Sequence, residues 1–169
     1  MPALCPLAVA GGCQAVICIA RLTETLMAES KYLAGKVLKW SLPVISGRPG
    51  PDAPSLKRLF LPQGELAQVY DSDDGIRYLA VIETRMDSVR GNHYHKVKEE
   101  WIYVLQGELS LLVEDIQTSE RASVPLRTGD LLLIQTGIAH LLRTVEPGQA
   151  LEFSSARFSA ADIFPFPLG

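Results

Sequence analysis

The stretch GNHYHKVKEEWIYVLQG, residues 91–107, decides how this chain is read. Its spacing is H-x-H-x4-E-x6-G. Side chains of a β-strand alternate between faces, so His93 and His95 project from one side of a strand and Tyr94 from the other. Two imidazoles on one face of one strand can share a metal ion. After the short connection KVKE the next strand starts at Glu100. There Glu100, Ile102 and Val104 share one face, while Trp101, Tyr103 and Leu105 share the opposite one.

Further along, GDLLLIQTGIAHLLRT at 129–144 places Gly129, Gly137 and His140 at G-x7-G-x2-H spacing. The two glycines suit turns on either side of a strand. His140 then enters another strand, whose other inward positions are Leu142 and Thr144. The chain has 3 histidines, and all of them fall in these two stretches.

Outward from these segments, short apolar runs are separated by turn residues every eight to twelve positions, as in an antiparallel sandwich or barrel. Strands are expected at 57–61, 65–70, 77–84, 93–95, 100–106, 108–114, 122–125, 131–134, 139–144 and 150–158. DSDDG at 71–75 reads as a solvated tight turn between two of them. It does not read as a calcium loop, because Gly75 stands where a ligand is required and no Glu follows at the correct distance. Upstream, PVISGRPGPDAP at 44–55 is rich in proline and glycine and reads as a linker, or as an arm over the barrel. Before it, Leu26, Tyr32, Leu33, Val37, Leu38 and Trp40 give 23–40 an amphipathic helical spacing, so helix or weak order is expected there. The division is therefore an extension over 1–55 and a barrel over 56–169.

Composition narrows the function classes. With 169 residues, 47% hydrophobic and 21% charged, the chain is suited to one ordinary packed core. A formal net charge of -3 offers no basic surface for phosphate backbones, so nucleic acid is not an expected partner. Cys5, Cys13 and Cys18 form neither a zinc knuckle nor a disulfide framework and read as reduced thiols. The apolar run 3–20 is broken by Pro6, Gly11, Gly12 and Gln14 and has no basic residue before Arg21, so neither export nor a membrane anchor is expected. The expected place is the cytoplasm.

The two motif stretches resemble the two motifs of the cupin superfamily, over about residues 56–160. The resemblance implies an all-β fold, a double-stranded β-helix or jelly-roll barrel with a helical or extended N-terminal extension. It also implies that His93, His95, Glu100 and His140 bind one divalent transition metal in the barrel. Imidazole and carboxylate ligands suit Mn, Fe, Ni, Zn or Cu. Glu99 competes for the carboxylate position, and the step back from Gly107 selects Glu100. The second motif departs from the family pattern at Gln135, where proline is usual, and at Thr144, where asparagine is usual.

The string RGNHYHK at 90–96 is similar to small bacterial cupins of polysaccharide and sugar-nucleotide metabolism, and more remotely to deoxysugar epimerases and ketoisomerases. That likeness implies that Arg90 sits at the barrel mouth, where it holds a phosphate or carboxylate of a substrate; otherwise it is a surface arginine at a strand edge. Tyr94, Tyr103 and Arg143 alternate away from the ligands, which favours packing or surface roles. The favoured function is a metal-dependent isomerase or epimerase acting on a small oxygenated ligand such as a sugar or sugar nucleotide, with Glu100 or a metal-bound water moving the proton. The alternatives are an Fe(II) dioxygenase and a non-enzymatic carbohydrate- or metabolite-binding module. A homodimer is expected.

Overall fold

The computed structural model describes residues 28–169. The three cysteines and the apolar run 3–20 lie outside the described residues. Among the described residues twelve strands run in chain order: β1 (Ala28–Tyr32), β2 (Val37–Ser41), β3 (Val44–Ser46), β4 (Lys57–Leu61), β5 (Gly64–Gln68), β6 (Tyr78–Thr84), β7 (Val89–Tyr94), β8 (Glu100–Asp115), β9 (Arg121–Arg127), β10 (Asp130–Ile134), β11 (Ile138–Ser154) and β12 (Phe164–Pro165).

The long strands β8 and β11 organise the jelly roll. Each bends midway, so that its two halves belong to two facing layers. One layer runs β1-β2-β10-β8-β11-β6 and the other β9-β8-β11-β7-β12. The bends sit at Gly107 (φ 93) and at Pro147–Gly148, where the β8–β11 register shifts. An added Cβ on Gly148 would stand 1.9 Å from the Gln106 carbonyl oxygen, so the crossing is too tight for any side chain. Expecting two strands at 100–106 and 108–114, and two more at 139–144 and 150–158, therefore split what the chain keeps continuous.

Between the layers lies an apolar core that includes Val37, Ile102, Val104, Leu111, Val113, Val124, Leu132 and Leu142. The outer face of the first layer carries a second cluster, with Trp40 stacked on Trp101 at 5.6 Å and Trp101 on Phe153 at 5.9 Å. Leu56, Ala67, Val69 and Tyr70, in and around the small sheet β3-β4-β5, pack against that cluster. Strand β10 is buried along its whole length because both of its faces are covered, which is why DLLLI reads as an unbroken apolar run.

The helix expected over 23–40 is not what the described part of that segment forms. Residues 28–41 make a hairpin, β1 and β2, and β2 pairs with β10. Leu33, Ala34 and Gly35 have φ of 50, 54 and 87, a turn that an α-helix cannot contain. The apolar residues at neighbouring positions mimic helical spacing because Val37 serves the core between the layers while Leu38 and Trp40 serve the outer cluster. The extension is extended rather than helical in this part. DSDDG, expected as a tight turn between two strands, lies in the longer connection from β5, in the small sheet, to β6, in the main one.

Candidate metal centre and cavity

Strands β7 and β11 pair so that His93 faces His140, and a bulge follows immediately, because Leu141 pairs with Gly91 and leaves Asn92 unpaired. Gly91 (φ 99) and Asn92 (φ 59) are both left-handed there. Glu100 opens β8 beside Ile134 of β10. Together these elements bring His93, His95, Glu100 and His140 to one place, with one potential ligand atom from each and all four atoms within 4.8 Å of one another. Glu99 is exposed and stands outside this group.

The hydrogen bonds orient the rings. Nδ1 of His95 lies 2.6 Å from the Asp162 carbonyl oxygen, and Nδ1 of His140 lies 3.1 Å from that of Ile138. A carbonyl only accepts, so in both rings Nδ1 carries a hydrogen and Nε2 faces the cluster, as a lone pair whenever the ring is neutral. Nε2 of His140 stands 2.7 Å from Glu100 Oε2. Nε2 of His95 is 3.5 Å from Glu100 Oε1 without hydrogen-bonding geometry, and is one of two buried side-chain polar atoms among the described residues that lack a partner. Lone pairs converging in a buried site repel unless a cation lies among them. The donor set thus fits a divalent ion, with the outward nitrogens of His95 and His140 anchored as metal-binding imidazoles usually are.

Charge is concentrated here. Burial pushes the Glu100 carboxyl up, but His140, His95 and Lys98 outweigh it and hold the group well below the usual carboxylate range. Burial pushes His95 down, and the Glu100 carboxylate more than reverses it, so the net direction is up. His93, with burial as the main cause and His140 beside it, is lowered.

His93, Glu100 and His140 of the cluster form one wall of a cavity of about 260 Å³, and His95 lies behind them. Apolar Ile82, Ile102, Leu111 and Leu142 line it, together with Tyr78, Arg90 and Glu152. Simple alternation along β7 would put Arg90 and His93 on opposite faces; the extra residue of the bulge lets both border the same cavity. Arg90 is exposed, with its guanidinium 3.5 Å from the Glu83 carbonyl oxygen. Leu142 and Thr144 are buried as the alternation requires, and Thr144 shares a hydrogen bond with Ser88 at 2.9 Å. Tyr103 lies in the outer aromatic cluster, Tyr94 packs under Phe164 and Phe166, and Arg143 is exposed. Gln135 does not border the cavity.

Four residues escaped the motif reading. Lys98 is buried, donates to Glu100 Oε1 at 2.8 Å and to Glu152, and lies 4.3 Å from the centre of the Tyr78 ring. Alternation from Ala150 in β11 points to Glu152, because Ala150 is in the core and Glu152 borders the cavity. Burial, with the Glu100 carboxylate nearby, pushes the Glu152 carboxyl up. Nothing in the spacing of the motifs marks Lys98, Tyr78 or Asp162.

Residues 84–155 match the family model described as the cupin domain. No curated protein matches the chain. Among solved structures, a dTDP-4-dehydrorhamnose 3,5-epimerase from Sulfolobus tokodaii superposes with a TM-score of 0.62 at 16% identity, over 80% of this chain and 78% of that one. A 3,4-ketoisomerase from Helicobacter canadensis gives 0.58 at 19% identity, over 65% and 86%. A dTDP-6-deoxy-D-glucose-3,5-epimerase from Legionella pneumophila, in complex with dTDP-4-keto-L-rhamnose, gives 0.63 at 13% identity, over 83% and 77%. These likenesses establish the fold.

Proposed function

We propose that this chain, a jelly-roll protein of the cupin superfamily, binds one divalent transition metal through His93, His95, Glu100 and His140 and isomerises or epimerises a sugar or sugar nucleotide. The observation that carries the reading is the convergence of four ligand atoms within 4.8 Å beside a cavity that three of the residues line, with His95 Nε2 buried and otherwise without a partner. The activities of the structural neighbours support the sugar part of it.

When bound, the ion would polarise a carbonyl or hydroxyl of the substrate. The protein's own groups do the rest. Both oxygens of Glu100 are engaged, Oε1 by Lys98 and Oε2 by His140, which suits a ligand better than a mobile base. Of the two cavity carboxylates Glu152 is the better placed to take a substrate proton, at the oxygen Lys98 does not hold, since its raised pKa brings it nearer neutrality. Glu152→Gln is expected to lower turnover about 100-fold or more with metal content unchanged. Equal loss of metal and turnover would return the proton to Glu100.

The cavity, at about 260 Å³, lies below the range of roughly 300–1,000 Å³ usual for drug-sized ligands. It suits a sugar ring, with any phosphate outside beside Arg90. Arg90→Ala is expected to raise the KM for a phosphorylated substrate about tenfold through loss of a charge-assisted contact, with kcat and metal content unchanged. An unaltered KM would leave Arg90 as a surface residue.

The deciding experiment is elemental analysis of the purified protein followed by incubation of the metal-loaded form with a panel of keto-sugar nucleotides. About one ion per chain and conversion of at least one sugar are expected. Absence of metal removes the first half of the reading, and absence of turnover with every sugar removes the second. Oxygen uptake by the iron-loaded protein would favour a dioxygenase instead. The reading includes a homodimer, because Leu79 and Val81 on β6 are 62% and 67% exposed; a monomer mass in size-exclusion chromatography would remove that part. Among the described residues no helix is long and apolar enough to cross a membrane.

A further inference from the structure

The C-terminal segment lies beyond the matched domain, yet it reaches the proposed metal centre. Phe164 and Pro165 of β12 pair with Tyr94 and His93 of β7. Past them, the Phe166 N–H donates to the Asn92 carbonyl at 2.7 Å and the Leu168 N–H to Asn92 Oδ1 at 3.0 Å, and Leu168 is buried. The segment is thus strapped to the bulge between Arg90 and His93.

Just before β12, Asp162 grips the chain around His95 at two points. Its carboxylate accepts backbone N–H groups from the residues that follow His95: Lys96 at 2.9 Å and Val97 at 3.1 Å on Oδ1, and Lys98 at 2.9 Å on Oδ2. Its own carbonyl oxygen meets His95 Nδ1 at 2.6 Å. The carboxylate fixes where residue 162 sits, and the carbonyl then fixes which nitrogen of His95 carries the hydrogen and where Nε2 points.

We infer that Asp162 is a positioning residue for His95, so that a residue outside the matched domain completes the metal centre. The inference rests on the metal-binding reading above. In the metal-free protein the neutral His95 ring is then held as the Nδ1–H tautomer.

Two variants, Asp162→Ala and Asp162→Asn, test it in the full chain. Nitrogen-15 NMR of the metal-free protein reports the His95 tautomer, and competition with a chromophoric chelator reports Co²⁺ affinity. Wild type is expected to show the Nδ1–H form. Asp162→Ala frees residue 162, so a mixture of tautomers and a loss of Co²⁺ affinity of about 10–100-fold are expected, as for other groups that orient metal-bound imidazoles. Asp162→Asn keeps an acceptor for Lys96 and Val97 but faces the Lys98 N–H with a donor, so it is expected to fall between the two. An Ala variant with the wild-type tautomer and wild-type affinity overturns the inference. Should the Ala variant fail to fold, the Asn variant decides on the same readouts, a wild-type tautomer and affinity again overturning it. Wild type that binds no Co²⁺ at all refutes the metal reading instead, and the tautomer measurement then decides the inference by itself.

Discussion

Glu100→Gln is expected to lower divalent-metal affinity by at least about 100-fold, beyond what losing a group that merely orients a ligand costs. The amide keeps the shape of the side chain but removes the only negative charge among the four converging groups, and it offers one acceptor where the carboxylate offers two. Lys98 retains Glu152 as a partner, so the lysine is not stranded. Glu99→Gln, on an exposed neighbour, is expected to leave affinity unchanged. Isothermal titration with Zn²⁺ separates the two carboxylates; equal losses would show that the wrong one has been assigned.

The same cluster predicts a pH dependence. Burial lowers the His95 pKa and the Glu100 carboxylate more than restores it, to above the reference 6.5. In the metal-free protein this interaction stabilises the fold below pH 6.5 and is lost as the pH rises through the higher folded value. Metal requires the neutral ring. The rise in Tm on adding Zn²⁺ is therefore expected to grow between about pH 6 and pH 8. A rise that stays flat or shrinks over that interval would show that His95 is not a ligand.

Gly91→Ala is expected to be the most damaging single-methyl change in the barrel's second layer, costing about 3 kcal/mol or more and lowering Tm by about 10 °C. The added Cβ would stand 2.4 Å from the His140 carbonyl oxygen and 3.3 Å from Leu141 Cα, at a φ of 99 that an L-residue rarely adopts. Those atoms are backbone of β11 and can yield only by opening the β7–β11 pair, which is the pair that sets His93 against His140. Loss of metal affinity should therefore accompany loss of stability. Gly35→Ala is the control: φ is 87, but nothing lies within 4 Å, so only backbone strain of about 1 kcal/mol is expected. If thermal denaturation shows the two variants equally stable, close approach is not what Gly91 provides.

The motif histidines were legible because period-two alternation and their spacing act locally: His93 and His95 share a side, and His140 follows a glycine turn. Alternation also gave Leu142, Thr144 and the outward placing of Tyr94 and Arg143. It failed wherever a face was covered by something distant in sequence. Val37, Leu38 and Trp40 look helical until both sides of β2 are known to be buried. Arg90 borders the cavity only because one residue is inserted between it and His93, an irregularity that the glycine in RGN permits but does not announce. Lys98 and Asp162 act through contacts 54 and 67 residues away along the chain, with Glu152 and His95 respectively. No periodicity carries such information.

Because β8 and β11 each pass through both layers, the two layers have no seam along which one could melt while the other stays ordered. Both tryptophans lie on the outer face of the first layer, while His93 and His140 pair in the second. Their fluorescence should nonetheless report the fate of the distant histidines, with a single cooperative unfolding transition superimposable on the loss of bound metal.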